Sequence, residues 1–274
     1  MFASTMIRGF PWARLLFLAA VAGTVGLVVR LAFGWETPWL AVVAVAAALL
    51  GSVGAGVFLQ GAGLFARPLL AVEPALAKGR VALTFDDGPD PVHTRAVLDL
   101  LDRRGHRATF FVIGARAEAH EPLVAEIARR GHALGNHSWT HSHATPFYRV
   151  RKLQADLERA QAFFTRATGN APRWFRPPIG ILSPRVVQAA ARAGLQLVGW
   201  TATARDGVAG ATVEGATARL ERALAPGAIL VLHDAAERGG RAPIAPAVLE
   251  RLLDALDARG LKSVTLDELV GTGG

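Results

Sequence analysis

The chain of 274 residues contains no cysteine. This absence excludes disulfide bonds, thiolate metal sites and a thiol nucleophile. It does not indicate a compartment, because cysteine-free chains occur in both reducing and oxidising environments. Tandem repeats and low-complexity segments are also lacking. The length therefore suits one catalytic domain with an accessory segment.

The formal net charge is +8, yet the basic residues are scattered and are not interleaved with aromatic residues. This pattern argues against binding to nucleic acid. Attraction to anionic lipid headgroups or to an anionic glycan is one interpretation of the charge. The simpler interpretation, which we favour, is an Arg- and Ala-rich composition typical of a GC-rich genome.

Hydrophobic residues make up 51% of the chain and are concentrated before residue 70. Residues 15–33 and 38–59 form two apolar runs, each close to the roughly 20 residues that cross a bilayer core. Arg30 lies near the end of the first run, and tryptophans flank both runs at positions 12, 35 and 39, as interfacial aromatic residues do. We predict two transmembrane helices that form a hairpin within an anchor of residues 1–78.

The alternative is a signal peptide followed by a loose apolar linker. The first run is long for a signal peptide and lacks a clear cleavage site with small residues. We therefore favour a multi-pass protein of the cell membrane.

The side of the membrane is a separate question. Glu36 is the charged residue of the short loop between the runs, whereas basic residues flank the pair: Arg8, Arg14, Arg67, Lys78 and Arg80. The positive-inside rule then favours a cytoplasmic catalytic domain. A large domain can override this small bias, so the side stays open.

From residue 79 to 270, short apolar runs alternate with amphipathic stretches. The predicted strands are 81–85, 108–113, 133–135, 174–175, 195–200, 228–232 and 263–266. The predicted helices are 94–104, 122–130, 149–168, 184–193, 212–224 and 245–259. The alternation indicates βα units and a mostly parallel sheet. This domain is somewhat short for a complete eight-fold barrel.

Polar residues that can carry chemistry follow these predicted strands. They are Asp86, Asp87, His137, His141, Arg176, Asp206 and His233. The carboxyl ends of parallel strands meet at one rim of an α/β barrel. We therefore expect these residues to form one site.

The first part of this site resembles a metal centre. Asp86 and Asp87 alone are consistent with a simple turn, and His137 and His141 alone with two surface histidines. Two histidines four residues apart lie on one face if the segment is helical. Together with Asp87 they form a His₂–carboxylate set with open positions, as catalytic zinc requires. The other histidines are interpreted as surface or structural residues: His93, His106, His120, His132 and His143.

The second part supplies proton transfer. Arg176, held by a Pro-Pro backbone, can orient a carboxylate and keep it ionised, although a surface arginine is the simpler interpretation. His233 can act as a general acid, although a lone histidine at a strand end is more often structural. With Asp86 as the base, the set suits metal-assisted amide hydrolysis without a serine or cysteine nucleophile.

Four motifs carry a family resemblance: TFDDGPD at residues 84–90, HSWTH at 137–141, RPPIG at 176–180 and LVLHD at 230–234. In this order they resemble the polysaccharide deacetylase family, the NodB-homology or carbohydrate esterase family 4 group. ATFFVIG at 108–114 is also similar to a strand of that family. The resemblance spans residues 79–270 and leaves the anchor unexplained.

The resemblance implies a distorted (β/α) barrel of about seven strands and a divalent metal held by Asp87, His137 and His141. The metal would be Zn²⁺, with Co²⁺, Ni²⁺ or Mn²⁺ as alternatives. It further implies Asp86 as base, Arg176 as its partner and His233 as acid. Asp206 would support the charged residues. The implied substrate contacts are Leu232, which would line a pocket for the acetyl methyl group, Pro178 and Trp200.

Two positions depart from the family pattern. Gly207 stands where a tryptophan is common, and Ile179 stands where an aromatic residue often follows Arg-Pro-Pro. Both changes remove aromatic surface on which a sugar ring could stack. They leave the hydrolytic residues intact.

The predicted function is removal of N-acetyl groups from amino sugars of a glycan or a lipid-linked glycan. One alternative is a deformylase or another hydrolase of non-sugar amides, which would use the same metal set. A different class of alternative is an inactive, membrane-tethered carbohydrate-binding protein. That alternative predicts a missing ligand, whereas every expected residue is present.

Overall fold

The computed structural model describes residues 6–7, 10–236 and 242–271. Arg8, used above for membrane orientation, lies outside these residues. A short strand, β1 (Met6–Ile7), precedes the two long helices α1 (Trp12–Ala32) and α2 (Trp39–Phe58). Their bounds agree with the predicted apolar runs to within three residues at each end.

Both helices are long and apolar enough to cross a membrane, with mean hydropathies of 2.2 and 2.3. They pack against each other, and most of their outward surface is exposed apolar side chains. The first helix also lies near the N-terminus, where a signal sequence has the same properties.

A connector leads from the helices into the second part of the chain. It contains a 3₁₀ turn (Gln60–Ala62), the strand β2 (Ala71–Val72) and the short helix α3 (Pro74–Ala77). Strand β2 pairs with β1 in antiparallel fashion.

The remaining elements alternate along the chain. The strands are β3 (Arg80–Asp86), β4 (Ala108–Val112), β5 (Ala133–Asn136), β6 (Trp174–Phe175), β7 (Gln196–Leu197), β8 (Ala202–Thr203), β9 (Ile229–His233) and β10 (Lys262–Ser263). The helices are α4 (His93–Arg103), α5 (Gly114–Ala119), α6 (Glu121–Arg129), α7 (Val150–Thr168), α8 (Pro184–Arg192), α9 (Val213–Glu221), α10 (Ala245–Ala258) and α11 (Leu266–Val270). Further 3₁₀ turns cover Thr145–Phe147 and Pro178–Gly180.

The strands form one parallel sheet in the order β7-β6-β5-β4-β3-β9-β8, and β10 also pairs with β3. The sheet curls into an incomplete barrel covered by helices, which confirms the predicted fold class. Along β3 the side chains alternate: Val81, Leu83 and Phe85 join the main hydrophobic core. Thr84 and Asp86 therefore point to the opposite, inner face, because successive strand residues point to opposite sides.

The connector fills the gap between the two edge strands. Leu69 forms a parallel bridge with Val198, just beyond β7, and Ala71 forms an antiparallel bridge with Ala228, just before β9. Leu69 and Val198 also belong to one buried apolar cluster on the inner side of the sheet. The connector is thus part of the barrel wall.

Two predicted strands differ from the structure. The predicted strand 195–200 is only β7, because the chain turns at Gly199 and Trp200 so that Thr201 donates its backbone N–H to the Ile229 carbonyl. The additional strand β8 follows. The predicted strand 263–266 ends at Ser263, because a capping box of Thr265 and Glu268 starts helix α11.

Candidate metal centre and active site

The two adjacent aspartates lie at the carboxyl end of β3. Asp86 is in register with His233 on β9. Asp87 adopts a positive φ of 74°, a region that aspartate tolerates better than most residues. This turn in the backbone interrupts the strand alternation, so that both carboxyl groups line the same cleft.

Asp87, His137 and His141 come together as the sequence pattern predicts. One donor atom from each lies within 4.8 Å of the others. The Asp87 Oδ1 atom is 3.4 Å from His137 Nε2 and 3.1 Å from His141 Nε2. Among the described residues this buried oxygen has no hydrogen-bond partner. A buried carboxylate oxygen without a partner beside two imidazoles fits a metal ligand.

The orientation of His137 also suits a ligand. Its Nδ1 lies 2.7 Å from the carbonyl oxygen of Arg176, so Nδ1 carries the proton and donates it. The Nε2 lone pair therefore faces Asp87. Metal-binding histidines commonly have their second nitrogen fixed in this way.

The charges within the centre are coupled. Burial opposes ionisation of Asp87, but its interaction with His137 and the charges of His141 and His233 outweigh it and lower the pKa to about 2. Burial likewise opposes protonation of His137, yet the charges of Asp86 and Asp87 raise its pKa. Metal binding at this imidazole therefore competes with its protonation.

The HSWTH segment is a loop, which corrects the helical interpretation. Ser138 and His141 have positive φ values of 67° and 48°. The loop is held from outside: Asp156 on α7 accepts the backbone N–H of Trp139 at 2.7 Å and the hydroxyl of Thr140 at 2.9 Å. The turn of the loop, and not a helix face, brings the second histidine to the metal position.

Arg176 follows β6 and is completely buried. One guanidinium nitrogen donates to Asp86 Oδ1 at 2.6 Å and to Thr84 Oγ1 at 2.8 Å. The other terminal nitrogen donates to the Gly199 carbonyl at 2.9 Å. The surface interpretation of Arg176 is therefore wrong. The arginine fixes the position of the Asp86 carboxylate.

His233 ends β9 and pairs with Asp206. One carboxylate oxygen of Asp206 accepts a hydrogen bond from the His233 backbone N–H at 2.9 Å. The other lies 2.7 Å from the ring Nδ1, which donates its proton to it. Burial lowers the pKa of His233, but the hydrogen bond and charge of Asp206, together with Asp86 and Asp87, raise it to about 9. The ring is therefore held protonated near neutral pH, as a general acid requires.

The site residues line a cleft of about 120 Å³. For comparison, an apolar cavity of about 150 Å³ holds a benzene molecule. The cleft therefore has room for a small group such as an acetamido group.

The walls of the cleft differ from the expected contacts. Trp200 lines the cleft as predicted, next to Pro177 and Ile179. The predicted contact Pro178 is buried and does not line the cleft.

Leu232 also differs from its predicted place. It is fully buried in the main core, and Val231 lines the cleft in its place. The reason is strand alternation: Val231 is two residues from His233 and shares its face, whereas Leu232 points to the helices.

Two further residues were not singled out from the sequence. Thr84 lies two residues before Asp86, and the strand period could have indicated that both side chains face Arg176. Asp156 carries no comparable signal, because its role depends on the packing of α7 against the HSWTH loop.

Known proteins with similar sequences belong to one family. The family model described as polysaccharide deacetylase matches residues 74–198. A peptidoglycan-N-acetylglucosamine deacetylase from Bacillus cereus is 36% identical over 192 residues, which cover 69% of this chain and 87% of that protein. A chitooligosaccharide deacetylase from Sinorhizobium fredii is 36% identical over 190 residues, with 66% of this chain and 86% of that protein covered.

Solved structures have the same fold. A family 4 acetyl xylan esterase from Clostridium thermocellum, in complex with a cobalt ion, matches with a TM-score of 0.63 and 34% identity. The match covers 69% of this chain and 89% of that one. A family 4 carbohydrate esterase from Streptomyces lividans, in complex with acetate, matches with a TM-score of 0.61 and 31% identity over 68% of this chain and 91% of that one.

Proposed function

Because this chain belongs to the polysaccharide deacetylase family, we propose that it hydrolyses the N-acetyl group of an amino sugar at the centre formed by Asp87, His137 and His141. The observation that carries the proposal is the buried Asp87 oxygen, which makes no hydrogen bond to any described residue and lies between two imidazole nitrogens. An inactive carbohydrate-binding protein would not need this arrangement to be complete.

The metal is a divalent ion, and we propose Zn²⁺. One carboxylate and two imidazoles with open positions form a donor set typical of catalytic zinc, and the acetyl xylan esterase relative contains cobalt. When bound, such an ion supplies positive charge that acidifies a water molecule and polarises an acyl carbonyl.

Asp86 is the proposed general base. Its Oδ1 atom is held by Arg176, and the carboxylate lines the cleft next to Asp87. The arginine keeps the carboxylate in place and stabilises its charge, so that it can accept a proton from an attacking water.

His233 is the proposed general acid. Asp206 holds its Nδ1, which leaves the other ring nitrogen to protonate the leaving amine. An amine leaves poorly without this proton, so the raised pKa of His233 is useful for hydrolysis of an amide.

The substrate is proposed to be an N-acetylated glycan or a lipid-linked saccharide. The size of the cleft suits an acetamido group. The two curated relatives described above are named for N-acetylated substrates, whereas one structural relative is an esterase. The nature of the bond must therefore be tested directly.

We also propose that α1 and α2 anchor the protein in the cell membrane. Exposed tryptophans lie at both ends of the hairpin, with Trp12 at one end and Trp35 and Trp39 at the other, as in interfacial belts. The flanking charges favour a cytoplasmic catalytic domain. A reporter fused to the C-terminus would identify the side, and an active reporter on the external side would overturn this orientation.

The test of the proposed activity is a comparison of acyl donors with the purified full chain in detergent. We expect acetate and a free amine from N-acetylglucosamine oligomers, and less product from an acetylated xylan or an N-formyl sugar. Chelation should abolish the reaction, and Zn²⁺ should restore it.

A preference for the ester or the formyl group would contradict the proposed substrate and leave the mechanism standing. Full activity of Asp86→Asn would overturn the mechanism itself. Exposed Asp254→Asn, on α10, provides the matched control variant.

A further inference from the structure

The end of helix α2 meets the rim that carries the active site. The backbone carbonyl of Val57, in the last turn of α2, accepts the N–H of Leu182 at 3.0 Å. Gln60, two residues beyond the helix, donates its side-chain amide to the Gly180 carbonyl at 3.5 Å. Gly180 is itself part of the cleft wall.

This junction is tightly packed. A Cβ atom added to Gly180 would lie 2.6 Å from the Gln60 amide nitrogen, and one added to Gly199 would lie 2.0 Å from the Gln60 amide oxygen. The following connector then forms the barrel wall through Leu69 and Ala71. The helical hairpin is therefore joined to the catalytic domain by packed contacts at the rim.

The dimensions place the cleft close to the bilayer surface. A helix of 20 residues is about 30 Å long, which equals the thickness of the hydrocarbon core. From Phe58 to Gln60 the chain spans at most about 7 Å. The headgroup layer on each side is also about 5–8 Å thick, so the cleft wall lies within it.

The surface around this junction suits a bilayer. Phe58, Leu59, Phe147 and Ile179 are apolar and 69%, 54%, 78% and 51% exposed. Phe147 belongs to this surface because the Arg185 guanidinium donates to its carbonyl at 3.0 Å, close to Leu182. We call these four residues the apolar rim.

Basic residues accompany the apolar rim. Arg149, Arg151 and Lys152 follow Phe147 in the sequence and are exposed, as is Arg185. Exposed apolar side chains next to basic ones are typical of surfaces that contact anionic lipid headgroups.

We propose that the apolar rim contacts the membrane surface and that the cleft takes an N-acetylated amino sugar carried on a membrane lipid. This inference rests on the proposed deacetylase function and on the membrane position of the hairpin. Of the two proposed substrate classes, it selects the lipid-linked saccharide, because a sugar bound at headgroup depth lies one short linkage from its lipid.

The absence of cysteine makes a direct depth measurement practical. Single variants Phe147→Cys and Leu76→Cys would each be labelled with an environment-sensitive fluorophore and reconstituted in phosphatidylcholine–phosphatidylglycerol vesicles. Leu76 is an exposed leucine on α3, which precedes β3 and so lies at the opposite end of the barrel. We expect a lipid carrying a shallow nitroxide to quench the label at 147 and not the label at 76.

The second measurement is acetate release in the same vesicles. The full chain is compared on a lipid-linked N-acetylglucosamine and on a soluble N-acetylglucosamine oligomer. Because the enzyme and the lipid-linked sugar are held at the same membrane surface, we expect kcat/KM to be at least about tenfold higher on the lipid-linked sugar than on the soluble oligomer. Phe147→Ser should lower this ratio, and Leu76→Ser should leave it unchanged.

The outcomes distinguish a failure of the membrane inference from a failure of the proposed function. Unquenched label at 147, or equal efficiency on the two sugars, would overturn the inference and leave the deacetylase function intact. Quenching at 147 without acetate release from either sugar would overturn the proposed function and the substrate assignment with it.

Discussion

The pair formed by His233 and Asp206 offers a quantitative test of the proton-transfer step. Asp206→Asn removes the carboxylate charge next to His233 and retains one oxygen that can accept a hydrogen bond. The pKa of His233, about 9 with Asp206 present, should then fall toward its ordinary value near 6.5. Burial still lowers this pKa and the Asp86 and Asp87 charges still raise it, so about 6.5 serves as the reference value for the variant.

The sign of the effect follows from the role of the ring. A general acid must be protonated, so activity is lost as the pH rises through its pKa. At pH 8 about 90% of the ring is protonated with a pKa of 9, against about 3% with a pKa of 6.5. With these values the variant should be about 30-fold slower at pH 8 and much closer to the parent near pH 5.5.

The assay is kcat/KM for acetate release from an N-acetylglucosamine oligomer between pH 5.5 and 9.5, with zinc present. Asp254→Asn, which removes an exposed carboxylate paired with Arg104, should leave the profile unchanged. If the alkaline limb of the pH profile stays at the same pH in Asp206→Asn, Asp206 does not set the pKa of the general acid.

Three further predictions concern other parts of the site. Arg176→Met leaves the Asp86 carboxylate buried without its partner and should cost about 3–5 kcal/mol of stability, measured by thermal unfolding. The double variant Arg176→Met/Asp86→Asn should recover the stability but not the activity. A double variant that is as unstable as Arg176→Met alone would contradict this. His141→Ala should weaken zinc binding by at least about 100-fold in chelator competition, and unchanged affinity would exclude His141 as a ligand. Val231→Phe should fill the cleft and lower kcat/KM. Leu232→Ala should cost about 2–5 kcal/mol of stability and preserve kcat/KM of the folded enzyme. A loss of kcat/KM in Leu232→Ala and not in Val231→Phe would show that Leu232, and not Val231, lines the cleft.

Much of the site could be predicted from the sequence because parallel strands bring their carboxyl ends together. Asp86, His137, Arg176 and His233 lie at or just after the ends of four different strands, and that position alone placed them at one rim. Asp206 follows β8, a two-residue strand that the apolar pattern did not reveal.

Other features depended on contacts that leave no local pattern. The path of the HSWTH loop is held by Asp156 on a distant helix, so the spacing of its histidines was equally compatible with a helix. The motif predicts Leu232 in the cleft, whereas strand alternation from His233 indicates Val231.

The hairpin could be predicted because its hydropathy is a property of the segment itself. Its relation to the active site could not. Gln60 contacts Gly180 across 120 residues of sequence, and the connector completes the barrel through two isolated bridges. Neither contact follows from composition or periodicity.

The central claim is that one metal ion, held by Asp87, His137 and His141, is required for deacetylation. The most direct test is a titration of the metal-free full chain with Zn²⁺, in which bound metal and acetate release are measured together. We predict that activity rises in proportion to bound zinc and reaches a plateau at one ion per chain. His137→Ala should abolish this rise, and His143→Ala, outside the ligand set, should preserve it. Acetate release by the metal-free protein, or a plateau that His137→Ala leaves unchanged, would contradict the account.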